Sequence, residues 1–164
     1  MRETTAVEHA KEELEVEIHP IGTVRSPVVE PMDENWGDVL AEVHLEPFLA
    51  AGLQGIEQFS HAIVVFYMHQ ATFELATDLV RRPRKRADMP EIGLFATRAR
   101  HRVNPIGITP VEIVQVDGNV VKVKGLDAID GTPVLDIKPY FPIFDRVENA
   151  VIPEWVERLL KDYF

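Results

Sequence analysis

The chain contains no cysteine, which excludes disulfides, thiolate nucleophiles and cysteine-ligated zinc together. Basic residues are scarce as well. Seventeen Lys and Arg stand against 27 Asp and Glu, a formal charge of −10, so the average field repels phosphate and argues against indiscriminate nucleic-acid binding, DNA included. No apolar run approaches the roughly 20 residues a bilayer requires. The opening residues carry several glutamates where a secretory leader needs a basic start and an apolar middle. A cytoplasmic protein without a membrane partner is therefore expected. Also missing are an internal repeat, a low-complexity linker and the glycine-rich strand-to-helix loop that holds nucleotide cofactors in doubly wound folds.

What is present is a succession of short strand-like segments. At 164 residues and 46% hydrophobic, the chain suffices for one ordinary core and is short for two. Val16, Ile18, Ile21 and Val24 mark a strand within 15–25, and Val39, Ala41, Val43 and Leu45 alternate through 39–45. Residues 62–68 form an apolar run rich in β-formers, followed by Ile92–Thr97, Val111–Val116, Asn119–Val123 and Val134–Lys138. Asp117-Gly118-Asn119 supplies a tight reversal between two of these segments. Helices are few: one within 4–14, a short one at Glu46–Ala51, another over 72–80, and a last one from Pro153. In that last helix Trp155, Leu159 and Tyr163 make one apolar stripe, suited to packing on the barrel or on a second subunit. Strands outnumber helices and no βαβ alternation is seen. The expectation is a mainly β fold, a single-domain antiparallel β-barrel over residues 15–164 with a few short helices and a C-terminal helix. Residues 1–14 read as an acidic N-terminal tail whose composition is compatible with disorder.

Charge is unevenly spread. Residues 81–102 hold Arg81, Arg82, Arg84, Lys85, Arg86, Arg98, Arg100 and Arg102 against only Asp88 and Glu91. A solvated loop without a partner is one reading. A phosphate-facing lip is the other, with Arg98, Arg100 and Arg102 projecting to one side if the strand before them continues.

Two short blocks concentrate polar chemistry: Phe95–Arg98 with Asn104-Pro105-Ile106-Gly107, and Gly125 to Tyr140. In the second, Asp127 and Asp130 stand three apart, Gly131 permits an unusual backbone, and Pro133 forces Thr132 extended. Paired acids suit a metal site, a glycosidase or a small polar cofactor. The six histidines show no helical ligand spacing, so no metal is expected. No aromatic sugar platform surrounds the acids, and a cofactor with hydroxyls and an ammonium fits a bend that exposes backbone groups. Asp130 capping its own turn is the structural alternative.

The order of these blocks resembles the TrmO/TsaA-like family of β-barrel methyltransferases. The matching residues are Ile21 to Pro27, Phe59-Ser60-His61, His69-Gln70, Arg82-Pro83, Gly93 to Arg98, Asn104 to Gly107, Asp127, and Asp130 to Tyr140. The resemblance implies S-adenosylmethionine as cofactor and tRNA as substrate, with methylation of threonylcarbamoyladenosine beside the anticodon. It implies a homodimer whose cofactor pocket is completed across subunits and lined by His69, Gln70, Arg98, Asp127, Ala128, Ile129 and Asp130, with Arg98 or its neighbours serving the partner. Arg81, Arg82, Arg84, Lys85, Arg86, Arg100 and Arg102 are then the RNA-facing candidates. Family members usually read Thr-Arg-Ser-Pro and Arg-Pro-Asn-Pro where this chain has Thr97-Arg98-Ala99-Arg100 and Arg102-Val103-Asn104-Pro105, so a serine hydroxyl and two prolines are missing from the rim. The extra C-terminal domain of some bacterial members is not expected.

A carbamoylated exocyclic nitrogen is a poor nucleophile because its lone pair is delocalised, so loss of its proton assists attack. His69, Asp136 and Tyr140 are the candidate bases, and the sequence does not rank them. A surface ion pair is an equal reading of Asp136 with Lys138, and a structural role is the default for His69. Arg98 suits two-point binding of a carboxylate. A non-catalytic sensor of S-adenosylmethionine or a related nucleotide is the alternative function.

Overall fold

Alternation of β-branched and polar residues sends every second side chain to the same side of a strand, and here six strands do so around one closed ring. The computed structural model describes residues 16–164; the acidic tail and the helix expected within 4–14 lie outside them. In chain order the strands are β1 (Gly22–Arg25), β2 (Leu40–Leu45), β3 (His61–Tyr67), β4 (Val80–Arg81), β5 (Ile92–Gly93), β6 (Ile106–Asp117), β7 (Val120–Lys124) and β8 (Pro133–Pro139). β4 and β5 pair only with each other, while the rest close in the order β1-β2-β7-β6-β3-β8. Every neighbouring pair is antiparallel, in registers such as Val24↔Val43, Val43↔Val121, Thr109↔Val64, Val64↔Ile137 and Gly22↔Val134.

Those registers turn Val24, Val43, Val64, Val111, Val121, Val123 and Val134 inward, each almost wholly buried, with Phe66 and Leu45 among them. Each such side chain contributes roughly 1.5–3 kcal/mol of burial. A ring of about eight strands leaves a lumen just wide enough for side chains, so this narrower one is filled. The lumen therefore leaves no room for a ligand.

The two mouths differ. One, the lower, gathers the start of β3, the end of β8 and the two-residue β6–β7 turn at Gly118-Asn119, where Gly118 adopts φ 57°. It is plugged by 3-10 turns at Pro47–Leu53 and Ile56–Gln58, which press Leu53 and Ile56 onto the core. The upper mouth gathers the ends of β1, β3 and β7 and the starts of β2, β6 and β8. It receives the long excursion 68–105 and the loop 125–132, whose Leu126, Ala128 and Ile129 are buried. A β-bulge sits on β8 near this end, where Val65 faces Asp136 and Phe66 faces Val134, a device that bends a strand next to functional loops.

After β8 the chain makes a short helix, α2 at Pro142–Asp145 by overall position, preceded in sequence by one α-turn, α1 at Leu75–Asp78, and followed by α3 at Glu154–Leu160. None is long and apolar enough to cross a membrane. The expected strand 15–25 forms only from Gly22, because Pro20 lacks the donor a ladder needs. Ile92–Thr97 is likewise cut short: the strand ends at Gly93, and Leu94–Ala96 coil into a 3-10 turn that buries Leu94. The helix expected over 72–80 shrinks to α1, and the one at Glu46–Ala51 is a 3-10 turn begun by Pro47.

Candidate cofactor site

The upper mouth is built from four segments that the strand order brings together. β7 stops at Lys124, opposite Glu112, so the stretch 106–111 of β6 keeps one edge unpaired by β7. Loop 125–132 follows along that edge. Asp127 accepts hydrogen bonds on both carboxylate oxygens, one from the Thr109 hydroxyl on β6 and one from the Tyr163 hydroxyl at 2.6 Å. Arg98 reaches the next residue of the same strand, donating from Nη2 to the Ile108 carbonyl at 2.7 Å. Arg98 and Asp127 therefore meet consecutive residues of β6. His69 and Gln70 follow the end of β3, where the Met68 N–H donates to Pro105 just ahead of β6 at 2.8 Å. Both are exposed.

Asp130 closes the loop on the far side. Its Oδ1 accepts from the Ser26 N–H at 3.1 Å, 104 residues away in sequence, while the Asp130 N–H donates to Val28 and that of Gly131 to Val24. Asp130 thus ties the loop to the end of β1 instead of capping its own turn. Gly131 has φ 77°, a conformation a side chain would strain.

The three candidate bases are separated. His69 stands at the upper mouth. Asp136 sits on β8 opposite Val65 and is held by Lys138 Nζ at 2.6 Å; that hydrogen bond raises the lysine's affinity for its proton. Tyr140 donates its backbone N–H to His61 at the lower mouth and lies edge-on to the His61 ring. Asp136 lies level with Ile108, whose carbonyl Arg98 holds, but on the outer face and engaged by Lys138, so of the three His69 alone follows directly on a strand end at the upper mouth.

Most of the basic run is engaged by partners within the molecule. Arg81 pairs with Asp78 at 2.9 Å and Arg86 with Asp88 at 2.7 Å, while Arg82 donates to the Met89 carbonyl. Arg84 donates to the Asp33 carbonyl at 2.7 Å and lies over the Tyr163 ring at 5.9 Å. Arg102 donates to the Thr97 carbonyl at 2.8 Å, which corrects the expectation that Arg98, Arg100 and Arg102 project together from a continuing strand. Arg82, Lys85 and Arg100 stay exposed, Arg100 donating from Nε to His101 Nε2 at 3.1 Å and Lys85 standing on a left-handed backbone with φ 54°.

Thr109, Ser26 and Tyr163 were not legible as site residues. Thr109 lies two residues beyond Gly107 and Ser26 lies inside the Ile21–Pro27 block, but their contacts come from strand register. The four-residue spacing in the sequence assigns Tyr163 to an apolar stripe; its hydroxyl instead meets Asp127. Burial, then the Asp127 charge and hydrogen bond, push that hydroxyl's pKa well above the ordinary tyrosine value of 10.0. A separate depression lined by Glu42, Gln115, Asp117, Val120 and Lys122 lies on the outer wall, away from these groups. Among the described residues no group of three His, Asp or Glu side chains is placed to hold a metal ion.

Residues 29–146 match the family model of the tRNA-methyltransferase O N-terminal domain. The chain belongs to the TrmO family of S-adenosylmethionine-dependent tRNA methyltransferases. A crystal structure of TrmO from Pseudomonas aeruginosa superposes with a TM-score of 0.72 at 32% identity, covering 88% of this chain and 63% of that one. A probable S-adenosyl-L-methionine-binding protein of Pyrococcus abyssi is 41% identical over 85% of this chain and 75% of its own length. The human tRNA (adenine(37)-N6)-methyltransferase is 40% identical over 62% of this chain but only 22% of its own length. The TrmO barrel thus spans about three fifths of the Pseudomonas chain. The donor set of its upper mouth suits S-adenosylmethionine: carboxylates for a cationic sulfonium, an ammonium or ribose hydroxyls, and an arginine for the amino-acid carboxylate.

Proposed function

We propose that this chain transfers the methyl group of S-adenosylmethionine to the exocyclic nitrogen of threonylcarbamoyladenosine next to the tRNA anticodon. The observation that carries the reading is the convergence of His69-Gln70, Arg98 and Asp127–Asp130 on one mouth of a filled barrel, in a TrmO-family chain. We place the activity in the cytoplasm and treat residues 15–164 as one domain.

When bound, S-adenosylmethionine supplies an electrophilic methyl on a sulfur whose positive charge is lost as the methyl leaves. Asp127 keeps a second lone pair on each oxygen after accepting from Thr109 and Tyr163, so it presents a fixed negative face to a cationic or hydroxyl-bearing ligand. Arg98 has one nitrogen engaged with Ile108 and donors left for a carboxylate. Two anchored groups of opposite sign orient a zwitterionic ligand, and orientation is the main assistance an in-line displacement needs. His69, exposed at the same mouth, takes the proton from the acceptor nitrogen.

A second copy completes the site. The outer face of β3 and β6 sets Tyr67 beside Ile106 and Val65 beside Ile108, all apolar, and Tyr67, Ile106 and Ile108 are exposed. That face adjoins the Ile108 carbonyl held by Arg98, so a partner seated on it reaches the mouth. For the RNA, Lys85 and Arg100 are the contacts we favour: both are exposed, and Arg100 bonds only the neighbouring His101, whereas Arg81 and Arg86 are paired with carboxylates and Arg82, Arg84 and Arg102 donate to backbone carbonyls.

The test combines calorimetric titration with S-adenosylmethionine and transfer of labelled methyl to bulk tRNA. Heat of binding with transfer is expected, and no heat removes the proposal. The Pyrococcus relative is named for S-adenosyl-L-methionine binding alone; a second reading is a protein that binds the cofactor without catalysis, and binding without transfer to any tRNA supports that one instead.

A further inference from the structure

We infer that Tyr163 is a positioning residue for Asp127, its hydroxyl fixing the orientation in which that carboxylate meets S-adenosylmethionine. The inference rests on the reading that the upper mouth binds this cofactor. It adds a residue that lies beyond the span 29–146 matched to the family.

A carboxylate on a loop can rotate about χ2, and a fixed negative charge at a binding mouth needs both oxygens restrained. Thr109 restrains one from inside the barrel, where it is 3% exposed. The other is restrained only from outside, by Tyr163 at 2.6 Å. The tyrosine is itself held at several points. The N–H groups of Asn35 and Trp36 donate to the carbonyls of Asp162 and Tyr163, both at 2.8 Å. Gly37 lets the backbone of Phe164 approach so closely that an added Cβ would stand 2.6 Å from the Phe164 carbonyl carbon. The Phe164 ring packs edge-on against that of Tyr163 at 4.8 Å, and the Arg84 guanidinium lies over it. Trp36, 2% exposed and bonded through Nε1 to the Met32 carbonyl, anchors the segment that receives these bonds. Residues 162–164 therefore form a clamp whose tyrosine hydroxyl points at the loop carboxylate. A tyrosine placed here for packing alone would be replaceable by phenylalanine at no cost to ligand binding.

The experiment compares the full chain with Tyr163→Phe, which keeps the ring, and Phe164→Leu, which loosens the packing and leaves the hydroxyl. Binding of S-adenosylmethionine is read by calorimetry and stability by thermal unfolding without ligand. Loss of one hydrogen bond to a charged group is expected to weaken Tyr163→Phe binding roughly tenfold, while Phe164→Leu, which keeps the hydroxyl but loosens its support, lowers Tm and weakens binding by clearly less than that. With tRNA as acceptor, the Tyr163→Phe defect falls on KM for S-adenosylmethionine and leaves kcat within about twofold, as expected for an effect on binding alone. Parental affinity in Tyr163→Phe overturns the inference, as does an equal loss of affinity in Phe164→Leu, which would make the effect one of packing. A parent chain that gives no heat with S-adenosylmethionine overturns the underlying reading of the site, a result distinct from either.

Discussion

The two mouths of the barrel are made by the same six strands and have opposite characters. At the lower one the connections are a two-residue turn at Gly118-Asn119 and the segment 46–60, whose 3-10 turns drive Leu53 and Ile56 against the core. At the upper one the excursion 68–105, the loop 125–132 and the segment 162–164 bring Arg98, Asp127, Asp130, His69 and Tyr163 together. A sheet that closes on itself has no free edge except where a neighbour stops early, and β7 stops at Lys124 while β6 begins at Ile106. That mismatch in strand length leaves the β6 edge on which both Arg98 and the Asp127 loop settle. The proposed chemistry sits where the ladder is incomplete.

Four experiments sharpen or break this contrast. Asp127→Ala removes the charge on which Thr109 and Tyr163 converge and should weaken S-adenosylmethionine roughly hundredfold in calorimetry. It should also cost about 1–3 kcal/mol of stability in urea unfolding, because the buried Thr109 hydroxyl loses its acceptor. Gly107→Ala lies at the same end of β6 but has a packing reason, since its Cβ would meet the Phe66 ring at 2.3 Å. Overpacking of this kind costs about 1–3 kcal/mol of stability, with cofactor affinity of the folded fraction retained; a large loss of affinity would move Gly107 into the site. Alkaline titration comes next. The Tyr163 hydroxyl holds its proton more tightly when folded than when unfolded, so above the unfolded value near 10 the unfolded chain releases a proton the folded chain keeps. Stability contributed below pH 10 is lost as pH rises beyond it, and Tm should fall more steeply between pH 10 and 11 for the parent than for Tyr163→Phe. The smallest effects belong to the rest of the barrel. Tyr140→Phe at the lower mouth and Lys138→Ala on the wall should leave affinity within twofold, and Lys138→Ala should change stability by under about 1 kcal/mol, its partner Asp136 being an exposed pairing. A tenfold loss of affinity in Tyr140→Phe would end the distinction between the mouths.

Much of the architecture is legible in the sequence. Val39 to Leu45, residues 62–68 and Val134–Lys138 alternate or run apolar as barrel strands do, and the reversal at Gly118 was readable from its flanking strands. The failures are local and physical. Phe95 to Arg98 looked like the end of a strand, yet burial of Leu94 in a 3-10 turn outweighed β-propensity, and Arg102 was drawn to backbone carbonyls. Arg81 and Arg86 looked like an open cationic lip, yet each found a carboxylate within a few residues.

By itself the sequence determined the strand periodicity, the absence of thiol and membrane-spanning helical chemistry, and the presence of two polar blocks, because each depends on neighbours two to four residues apart. Only the tertiary structure decided which acids, bases and hydroxyls meet. Asp130 finds Ser26 across 104 residues and Asp127 finds Tyr163 across 36, whereas Tyr140 and Asp136, close to Asp130 in the chain, are carried down the barrel and out onto its wall. A strand advances about 3.3 Å per residue and alternates faces, so a few positions along β8 separate one mouth from the other, while ring closure brings distant segments within a hydrogen bond.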